Sequence, residues 1–266
     1  MMVTRLEDLA IVSVLAVSTT GVFCRSGCPA SAPKPHNTLR FASSADALFA
    51  GYRPCLRCRP DVGNSPRTQR GLRRVALLGR LRRPRHRRAE EGVIRLALVR
   101  TPLGPMVAGV AVSGLALLEF ADRPMLETQL KVVERRFKAR LEPGQTALHS
   151  RLQGELDAYF GDEAGQAGFT IPLARPGTPF QERVWDALTR IPAGITTSYA
   201  ALAAQIGQPS AVRAVARANG MNRLALLVPC HRVIASDGSL SGYGGGTWRK
   251  AALLERERRV AGFRAQ

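Results

Sequence analysis

The chain has 266 residues, enough for one or two domains with a sizeable core. Apolar residues make up 45% and charged residues 22% of the sequence, a globular composition that excludes a disordered or fibrous protein. The net charge of +19 favours a polyanionic partner such as nucleic acid. Of the 39 basic residues 35 are arginine, so a genomic bias toward arginine is an alternative, although it does not explain the excess of base over acid.

The apolar run Leu9–Val17 has the length of a signal-peptide core, but Glu7 and Asp8 precede it where positive charge is expected. The run is also far too short to span a bilayer. We therefore predict a strand here and no membrane association.

The five cysteines fall into two groups. Four form a Cys-x3-Cys pair and a Cys-x2-Cys pair separated by 26 residues, and Cys230 stands alone far downstream. Two close pairs joined by a loop can close a tetrahedral zinc site, which predicts zinc binding by Cys24, Cys28, Cys55 and Cys58. Free or disulfide-linked cysteines are one alternative, and a purely structural zinc site is another. Metal-type pairs beside a lone thiol indicate a reducing compartment, which we take to be the cytoplasm.

Residues 67–88 contain ten arginines, and no acidic residue occurs between Asp61 and Glu90. Such a segment cannot bury a core, so we predict a disordered basic linker over residues 63–92 that contacts DNA phosphates. GC-rich DNA read out of frame encodes Arg, Pro and Gly. Our hypothesis is therefore a deletion or frameshifted remnant, and an intact in-frame region on resequencing would contradict it.

Residues 93–173 have the pattern of a small sheet followed by helices. Alternating segments predict three antiparallel strands: Ile94–Arg100, Val107–Val112 and Leu115–Phe120. Apolar residues at helical spacing predict helices over Leu126–Phe137 and His149–Phe160. We interpret this region as a supporting subdomain without visible chemistry, and His149 as a solvent-exposed residue at a helix start.

Residues 174–266 are predicted to be mainly helical, which makes the whole chain α+β. A helix is predicted over Thr178–Arg190, with Pro179 at its start. Two short helices, Ser198–Ile206 and Ser210–Asn219, follow in a helix-turn-helix pattern. The second is slim and basic, a shape that can approach the minor groove. Alanine is also the best helix former, so slimness alone does not decide for DNA binding.

Cys230 and His231 follow the apolar run Leu224–Val228, which predicts a buried strand or helix end that carries the thiol into a pocket. A thiol reacts as its thiolate, and His231 is placed to take the proton directly or through a water. A buried cysteine beside a histidine is more often simple core packing, so the pair alone does not establish a nucleophile.

Several separate motifs occur in one order along the chain: Phe180-Gln181-Glu182-Arg183-Val184-Trp185, Thr197-Ser198-Tyr199, Ala211-Val212-Arg213-Ala214-Val215, Pro229-Cys230-His231-Arg232-Val233 and Ser241-Gly242-Tyr243. Together they resemble the O6-alkylguanine-DNA alkyltransferase family from about Val93 onward. The resemblance implies a monomer that binds alkylated double-stranded DNA through the minor groove. It also implies DNA repair by single-turnover transfer of an alkyl group from O6-alkylguanine, and from O4-alkylthymine, to a cysteine.

The resemblance gives each matching residue a role. Cys230 is the nucleophile, His231 accepts its proton through water, and Glu257 orients the imidazole. Only the register of the match selects Glu257 over Glu255, so a solvated helix charge is the alternative. Asn222 matches the hinge between the DNA-binding and thiol elements. The residues that match DNA or base contacts are Tyr199, Arg213, Tyr243 and Lys250.

Residues Thr19–Arg25 and Gly51–Cys58 resemble the N-terminal zinc domain of Ada-type proteins, predicted here for residues 10–62. In that family the zinc-bound thiolate that matches Cys24 takes a methyl group from a DNA phosphotriester. The residues before Cys24 differ from the usual lead-in, so we expect a shortened domain. No stretch resembles the AraC-type region of full-length Ada proteins, which argues against regulation of transcription. A methyl-responsive regulator and a non-catalytic lesion binder are the alternative functions.

Overall fold

The structure is a computed structural model, and it describes residues 13–30, 33–41, 43–50, 52–60, 92–161, 168–175, 177–240 and 242–262. The chain divides into two compact units, residues 1–89 with 141–143 and residues 90–140 with 144–266. Apart from Gly92, the predicted basic linker lies outside the described residues. Within the described part of the chain, no helix is long and apolar enough to cross a membrane.

The first unit is built on a four-stranded sheet with strand order β3-β1-β2-β4. Its elements are β1 Val14–Val17, β2 Val22–Arg25, β3 Thr38–Phe41, helix α1 Ser44–Phe49 and β4 Arg53–Pro54. In β1, buried and half-buried residues alternate as a strand with one face on the core requires. The described part of the run Leu9–Val17 therefore contains the predicted strand.

The second unit contains a sheet with strand order β7-β6-β5-β8, of which only the last three residues of β8, 141–143, are grouped with the first unit. Its strands are β5 Gly92–Val99, β6 Met106–Ala111, β7 Gly114–Phe120 and β8 Ala139–Pro143. β5, β6 and β7 form an antiparallel meander, so the predicted sheet is confirmed. β8 was not predicted, because only two of its five residues are buried and its alternation is too brief to be distinctive.

The described part of the second unit also contains the helices α2 Leu126–Phe137, α3 Ala147–Phe160, α4 Pro179–Thr189, α5 Tyr199–Gln205, α6 Val212–Gly220 and α7 Thr247–Val260. α2 has the predicted bounds, and α3 to α6 lie within two residues of theirs at each end. α5 and α6 form the predicted helix-turn-helix. Gly207, between them, has a φ of 73°, a left-handed conformation that glycine adopts without strain.

A short parallel ladder positions the thiol segment. β9 Thr197–Ser198 pairs with β10 Val233–Ile234, and β10 directly follows Cys230-His231-Arg232. One apolar core then joins β7 to α4, α6 and α7, and Cys230 belongs to it. The thiol is thus part of the apolar core of the unit.

The apolar run Leu224–Val228 is neither a regular strand nor a helix end, so that prediction was wrong. Leu224 forms an isolated bridge with Leu118, and the chain then turns, with the Val228 amide donating to the Leu224 carbonyl at 2.9 Å. All five residues are buried. Burial on every side makes the segment apolar without imposing any period, and an apolar run of this length does not reveal its backbone conformation.

His149 is not solvent-exposed as predicted; it is 1% exposed. Its Nδ1 accepts a hydrogen bond from the Thr146 amide at 3.1 Å, which completes the N-terminal cap of α3. Its Nε2 lies 3.3 Å from the Ala108 carbonyl of β6. Both ring nitrogens of His149 have partners inside the fold, so the imidazole does not need hydrogen bonds from solvent.

Candidate active site and metal centre

Cys230 begins a single 3-10 turn and is 8% exposed. The side-chain amide of Asn222 donates to Cys230 Sγ at 3.1 Å and to the Val228 carbonyl at 2.8 Å. Its oxygen accepts from the Leu224 amide at 3.0 Å. Asn222 is therefore fixed at both ends, and it presents an N–H group to the sulfur.

His231 is fully buried against Glu257 of α7. Its Nε2 lies 2.8 Å from Glu257 Oε1, and its Nδ1 has no hydrogen-bond partner among the described residues. Because an ionised carboxylate only accepts hydrogen bonds, Nε2 carries the proton. A neutral imidazole in that tautomer keeps a lone pair on Nδ1, so His231 can act as a base.

Glu257 accepts hydrogen bonds on both oxygens. Oε1 accepts from the Tyr159 hydroxyl and from Arg232 Nη2, each at 2.8 Å. Oε2 accepts from Arg232 Nε at 2.9 Å and from the Gly194 amide at 3.3 Å. Burial alone would raise the pKa of this carboxyl, but the hydrogen bonds from His231 and Arg232 lower it well below its ordinary range. Glu257 is therefore an anion at neutral pH.

Burial also sets the protonation of the thiol and the imidazole. It raises the pKa of the Cys230 thiol. The Asn222 hydrogen bond acts in the opposite direction, and so do the positive charges of Arg123 and Lys250. Burial lowers the pKa of His231, although Glu257 opposes this. A neutral thiol beside a neutral base is the resting state from which a proton can move as the sulfur attacks.

A small cavity, partly open to solvent, lies at the thiol. Three predicted site residues line it: Cys230, Asn222 and Tyr243. The rest of its lining comes from β7, α6, the segments directly after them and the loop before α7: Glu119, Arg123, Asn219, Gly220, Ala225, Gly242, Gly244 and Gly245. The sulfur is thus buried but borders on a small opening toward solvent.

The other predicted residues differ in their placement. Lys250 is 1% exposed, and its Nζ donates to the Val233 carbonyl at 2.6 Å. Tyr199 is half-buried at the start of α5, and a Cβ added at Gly242 would lie 3.3 Å from its hydroxyl. Arg213 lies on the exposed face of α6 and is not part of the cavity lining.

Three residues around the site were missed in the sequence: Tyr159, Glu119 and Arg123. Tyr159 reaches Glu257 across 98 residues of sequence, a distance that no local pattern spans. Glu119 did carry a signal, because it is the only charged residue in the apolar strand β7. A carboxylate in a buried strand requires a positively charged or hydrogen-bonding partner. Arg123 follows Glu119 by four residues in the sequence.

The four N-terminal cysteines come together in the first unit. β2 and β4 are parallel, with Phe23 opposite Pro54, and this register places Cys24 beside Cys55. The four sulfurs all lie within 4.8 Å of one another, and Cys28 Sγ is 3.9 Å from Cys55 Sγ. Sulfurs around one tetrahedral zinc ion are separated by about 3.8 Å, so the cluster fits this metal.

The four cysteines of this cluster can all be deprotonated at the same time only when a cation is bound to them. Burial, followed by hydrogen bonds and repulsion from Cys28 and Cys55, raises the pKa of Cys24 well above its ordinary value. Backbone amides of Cys58 and Arg57 lower the pKa of Cys55 to about 7. Four adjacent thiolates are stable only when a metal ion neutralises them.

Two family models match the chain. The model described as "6-O-methylguanine DNA methyltransferase, DNA binding domain" matches residues 179–259, which include the thiol segment. The model described as "Metal binding domain of Ada" matches residues 2–61, which include the four clustered cysteines. Zinc is therefore the cofactor of the N-terminal region, and the α+β architecture follows the predicted order of a four-cysteine zinc domain, a sheet and a helical DNA-binding domain.

Curated relatives and solved structures extend this match. The regulatory protein ada of Salmonella typhimurium is 34% identical over 323 aligned positions, which cover 92% of this chain and 91% of the relative. That alignment exceeds the 266 residues of this chain, so the relative has residues without a counterpart here. The methylated-DNA–protein-cysteine methyltransferase of Mycobacterium bovis is 41% identical, covering 62% of this chain and 93% of the relative.

Among solved structures, Mycobacterium tuberculosis OGT in complex with DNA is 40% identical, with a TM-score of 0.53, and covers 63% of this chain and 94% of that chain. The resemblance seen in the motifs is thereby confirmed for both the zinc region and the thiol domain. The chain belongs to the family of methylated-DNA–protein-cysteine methyltransferases and carries the metal-binding domain of Ada.

Proposed function

We propose that Cys230 takes the alkyl group from O6-alkylguanine, and from O4-alkylthymine, in double-stranded DNA. One observation carries this proposal: the Cys230 thiol borders a cavity, receives a hydrogen bond from Asn222, and precedes a buried His231–Glu257 pair. Nucleophilic cysteines are activated by such a base held by a third group. We place this activity in the cytoplasm.

The transfer is an in-line displacement. A sulfur–carbon bond forms to the alkyl group while the carbon–oxygen bond to guanine breaks, and the electron pair of that bond stays on the base. The thiol proton moves to Nδ1 of His231, directly or through a water, and then neutralises the departing guanine. Glu257 stabilises the imidazolium meanwhile. The thioether is stable, so each molecule reacts once.

The reaction requires the damaged nucleotide to leave the helical stack and enter the cavity. We assign this step to α6, bound in the minor groove, with Arg213 filling the vacated space and Tyr199 contacting the rotated nucleotide. Arg213 is exposed on the surface of the slim helix α6, as an intercalating side chain must be. Tyr243 lines the base pocket, and Lys250 supports it. A monomer contains every residue of this scheme.

The domain boundaries complete the proposal. A zinc domain, possessing Cys24, Cys28, Cys55 and Cys58 as ligands, spans residues 10–62, and a basic linker spans residues 63–92. The sheet subdomain covers residues 93–173, and the DNA-binding thiol domain covers residues 174–266.

A second transfer, from a DNA methylphosphotriester to Cys24, is proposed for the zinc domain. Its support is accessibility together with the motif resemblance: Cys24 and Cys28 are half-buried whereas Cys55 and Cys58 are buried, and the resemblance selects Cys24 of the first two. A thiolate kept deprotonated by zinc is nucleophilic at neutral pH, and an accessible one can meet a phosphotriester.

Intact mass and peptide mapping test both proposals after incubation with DNA that carries O6-methylguanine and methylphosphotriesters. A methyl group on Cys230 supports the main proposal, and a second on Cys24 supports the phosphotriester activity. A methyl group on Cys230 alone overturns the second proposal only. Binding to lesion DNA without any transfer would contradict both and favour the non-catalytic lesion binder.

A further inference from the structure

A buried ion pair lies at the end of β7. All seven residues of this strand are buried, yet one of them, Glu119, carries a charge and is 1% exposed. Arg123 lies just beyond the strand, its side chain is 6% exposed, and it donates to Glu119 Oε1. A charge is buried at high cost unless it is paired, so each residue explains the presence of the other.

The remaining hydrogen bonds of Arg123 lead to the thiol segment. Nη2 donates to the Gly220 carbonyl at 2.9 Å, and Nη1 donates to the Asn222 carbonyl at 3.3 Å. Gly220 is the last residue of α6, and Asn222 is the residue whose side chain meets Cys230 Sγ. The guanidinium of Arg123 therefore fixes the end of α6, the proposed DNA-binding helix. It also fixes Asn222, which donates a hydrogen bond to the sulfur of Cys230.

The same guanidinium forms part of the cavity wall. Arg123 and Cys230 both line the cavity. A Cβ added at Gly244 would lie 2.6 Å from Arg123 Cζ, so the backbone of the pocket loop packs directly on the guanidinium. Glycine is needed there because any side chain would displace the arginine.

A purely structural role does not explain why the Glu119–Arg123 ion pair lies at this position. Buried ion pairs can often be replaced by apolar residues without loss of stability, and β7 is otherwise entirely apolar. This pair instead borders the cavity that contains the sulfur. Its cation opposes the effect of burial, which raises the pKa of the thiol. The other charged or titratable groups that interact electrostatically with the thiol are Lys250, Tyr199 and Tyr243. His231, the next residue in the chain, is paired with Glu257.

We propose that Arg123, held by Glu119, is a positioning residue for transfer at Cys230. It holds Asn222 in place against the sulfur and keeps a permanent positive charge in the cavity wall, where it favours the thiolate. The inference rests on the proposed function of Cys230, and it assigns a role in the reaction to the sheet subdomain.

Single-turnover kinetics on O6-methylguanine DNA test the proposal with Arg123→Gln, Arg123→Lys and Glu119→Gln. Arg135→Gln is the matched control, since it makes the same charge change on the exposed face of α2. Because each molecule reacts once, the amplitude counts the folded molecules and the rate constant describes them alone. Partial unfolding therefore lowers the amplitude without imitating a slower reaction.

We expect Arg123→Gln to slow transfer roughly tenfold, the effect of about one pKa unit in the thiol, with the Kd for DNA unchanged. Arg123→Lys should recover part of the rate, because it restores the charge. A second measurement needs no DNA: the pH dependence of Cys230 alkylation by iodoacetamide, followed by peptide mapping. Its inflection should move up in Arg123→Gln and down in Glu119→Gln, because the two variants remove charges of opposite sign.

The inference is overturned if Arg123→Gln transfers at the wild-type rate, if its only defect is in DNA binding, or if the two variants shift the inflection in the same direction. It is also overturned if the control slows transfer equally. Failure of the proposed function has a different appearance: the wild-type chain would not methylate Cys230 at all, while the iodoacetamide inflections would still move apart.

Discussion

The two regions of this chain for which we propose reactive thiols hold them by different means. In the first unit four cysteines share a site, and only a metal ion can keep them all deprotonated. In the second unit Cys230 is alone; burial raises its pKa, and the Asn222 hydrogen bond and the charges of Arg123 and Lys250 oppose this effect. In our proposal the first site stores the thiolate in advance, and the second generates it during the reaction.

The difference decides what each site needs from the fold. The metal site needs two turns that bring sulfurs within reach, which a small sheet provides. The Cys230 site needs a proton acceptor, an anion and a donor in fixed positions, and these come from several elements packed on one core. Removal of zinc should therefore affect only the cysteine cluster of the first unit. Substitution of the hydrogen-bonding side chains around Cys230 should affect only the site in the second unit.

The largest expected effect is the loss of transfer in Cys230→Ser. Oxygen replaces sulfur in nearly the same space, but a hydroxyl loses its proton far less readily than a thiol, and oxygen attacks a saturated carbon much more slowly than sulfur does. We expect no methyl group on this residue and unchanged affinity for O6-methylguanine DNA, measured by mass spectrometry and by fluorescence anisotropy. Methylation of the serine, or of another residue in the second unit, would contradict the assignment of the nucleophile.

Zinc removal should affect one unit only. Structural zinc contributes about 10–16 kcal/mol in small zinc domains, so a strong chelator should unfold the sheet of the first unit. NMR of the full chain should show loss of dispersed signals from residues 13–60, while the rate constant for methylation of Cys230 stays unchanged. A fall in that rate constant would show that the thiol site also depends on the metal.

Glu257→Gln tests the anion behind the imidazole. The amide keeps the shape but removes the charge that stabilises the imidazolium, so transfer should slow by roughly a hundredfold, within the usual range for general base catalysis. Glu255→Gln on the exposed face of α7 is the control and should transfer normally. Equal rates in the two variants would leave Glu257 with a structural role alone.

The same carboxylate predicts a dependence of stability on pH. The pKa of Glu257 in the folded chain is lowered below its unfolded value of about 4.3. Its contribution is therefore present in full above about pH 5 and is lost as the pH falls toward the folded pKa. Thermal unfolding from pH 6 to pH 3 should show a smaller decrease in Tm for Glu257→Gln than for the wild type.

Tyr159→Phe should have the smallest effect. It removes one hydrogen bond to Glu257 Oε1 and leaves Arg232 and Gly194 in place. We expect about 1 kcal/mol lower stability and a transfer rate reduced only a few-fold. A loss as large as that of Glu257→Gln would mean that the phenol itself takes part in proton transfer.

Local patterns predicted α2 to α6 well, because each of these helices has one apolar face on the core, and they predicted the meander because its strands are short apolar runs separated by turn residues. They failed where a segment is apolar or polar for reasons that no period or turn residue indicates. The run Leu224–Val228 is buried all round, and His149 finds both partners inside the fold. The period of a sequence contains no information about either situation.

The site shows the same division. Motif resemblance selected Cys230, His231 and Glu257, and the structure brings the last two together at 2.8 Å. The motif resemblance gave no indication of Arg123, whose guanidinium donates to backbone carbonyls 97 and 99 residues away in the sequence. Contacts between distant segments depend on tertiary packing, and a buried charge such as Glu119 is the nearest that one sequence comes to indicating them.

The hydrogen bond from Gly194 to Glu257 offers a spectroscopic consequence. Gly194 belongs to the turn after α4 and is not part of the cavity lining. When His231 gains a proton, its Nε2–H group should draw electron density from Glu257, and the hydrogen bond from Gly194 should weaken. We therefore expect the amide resonance of Gly194 to shift with the charge of the imidazole, which would make that charge measurable in the intact protein from outside the base pocket.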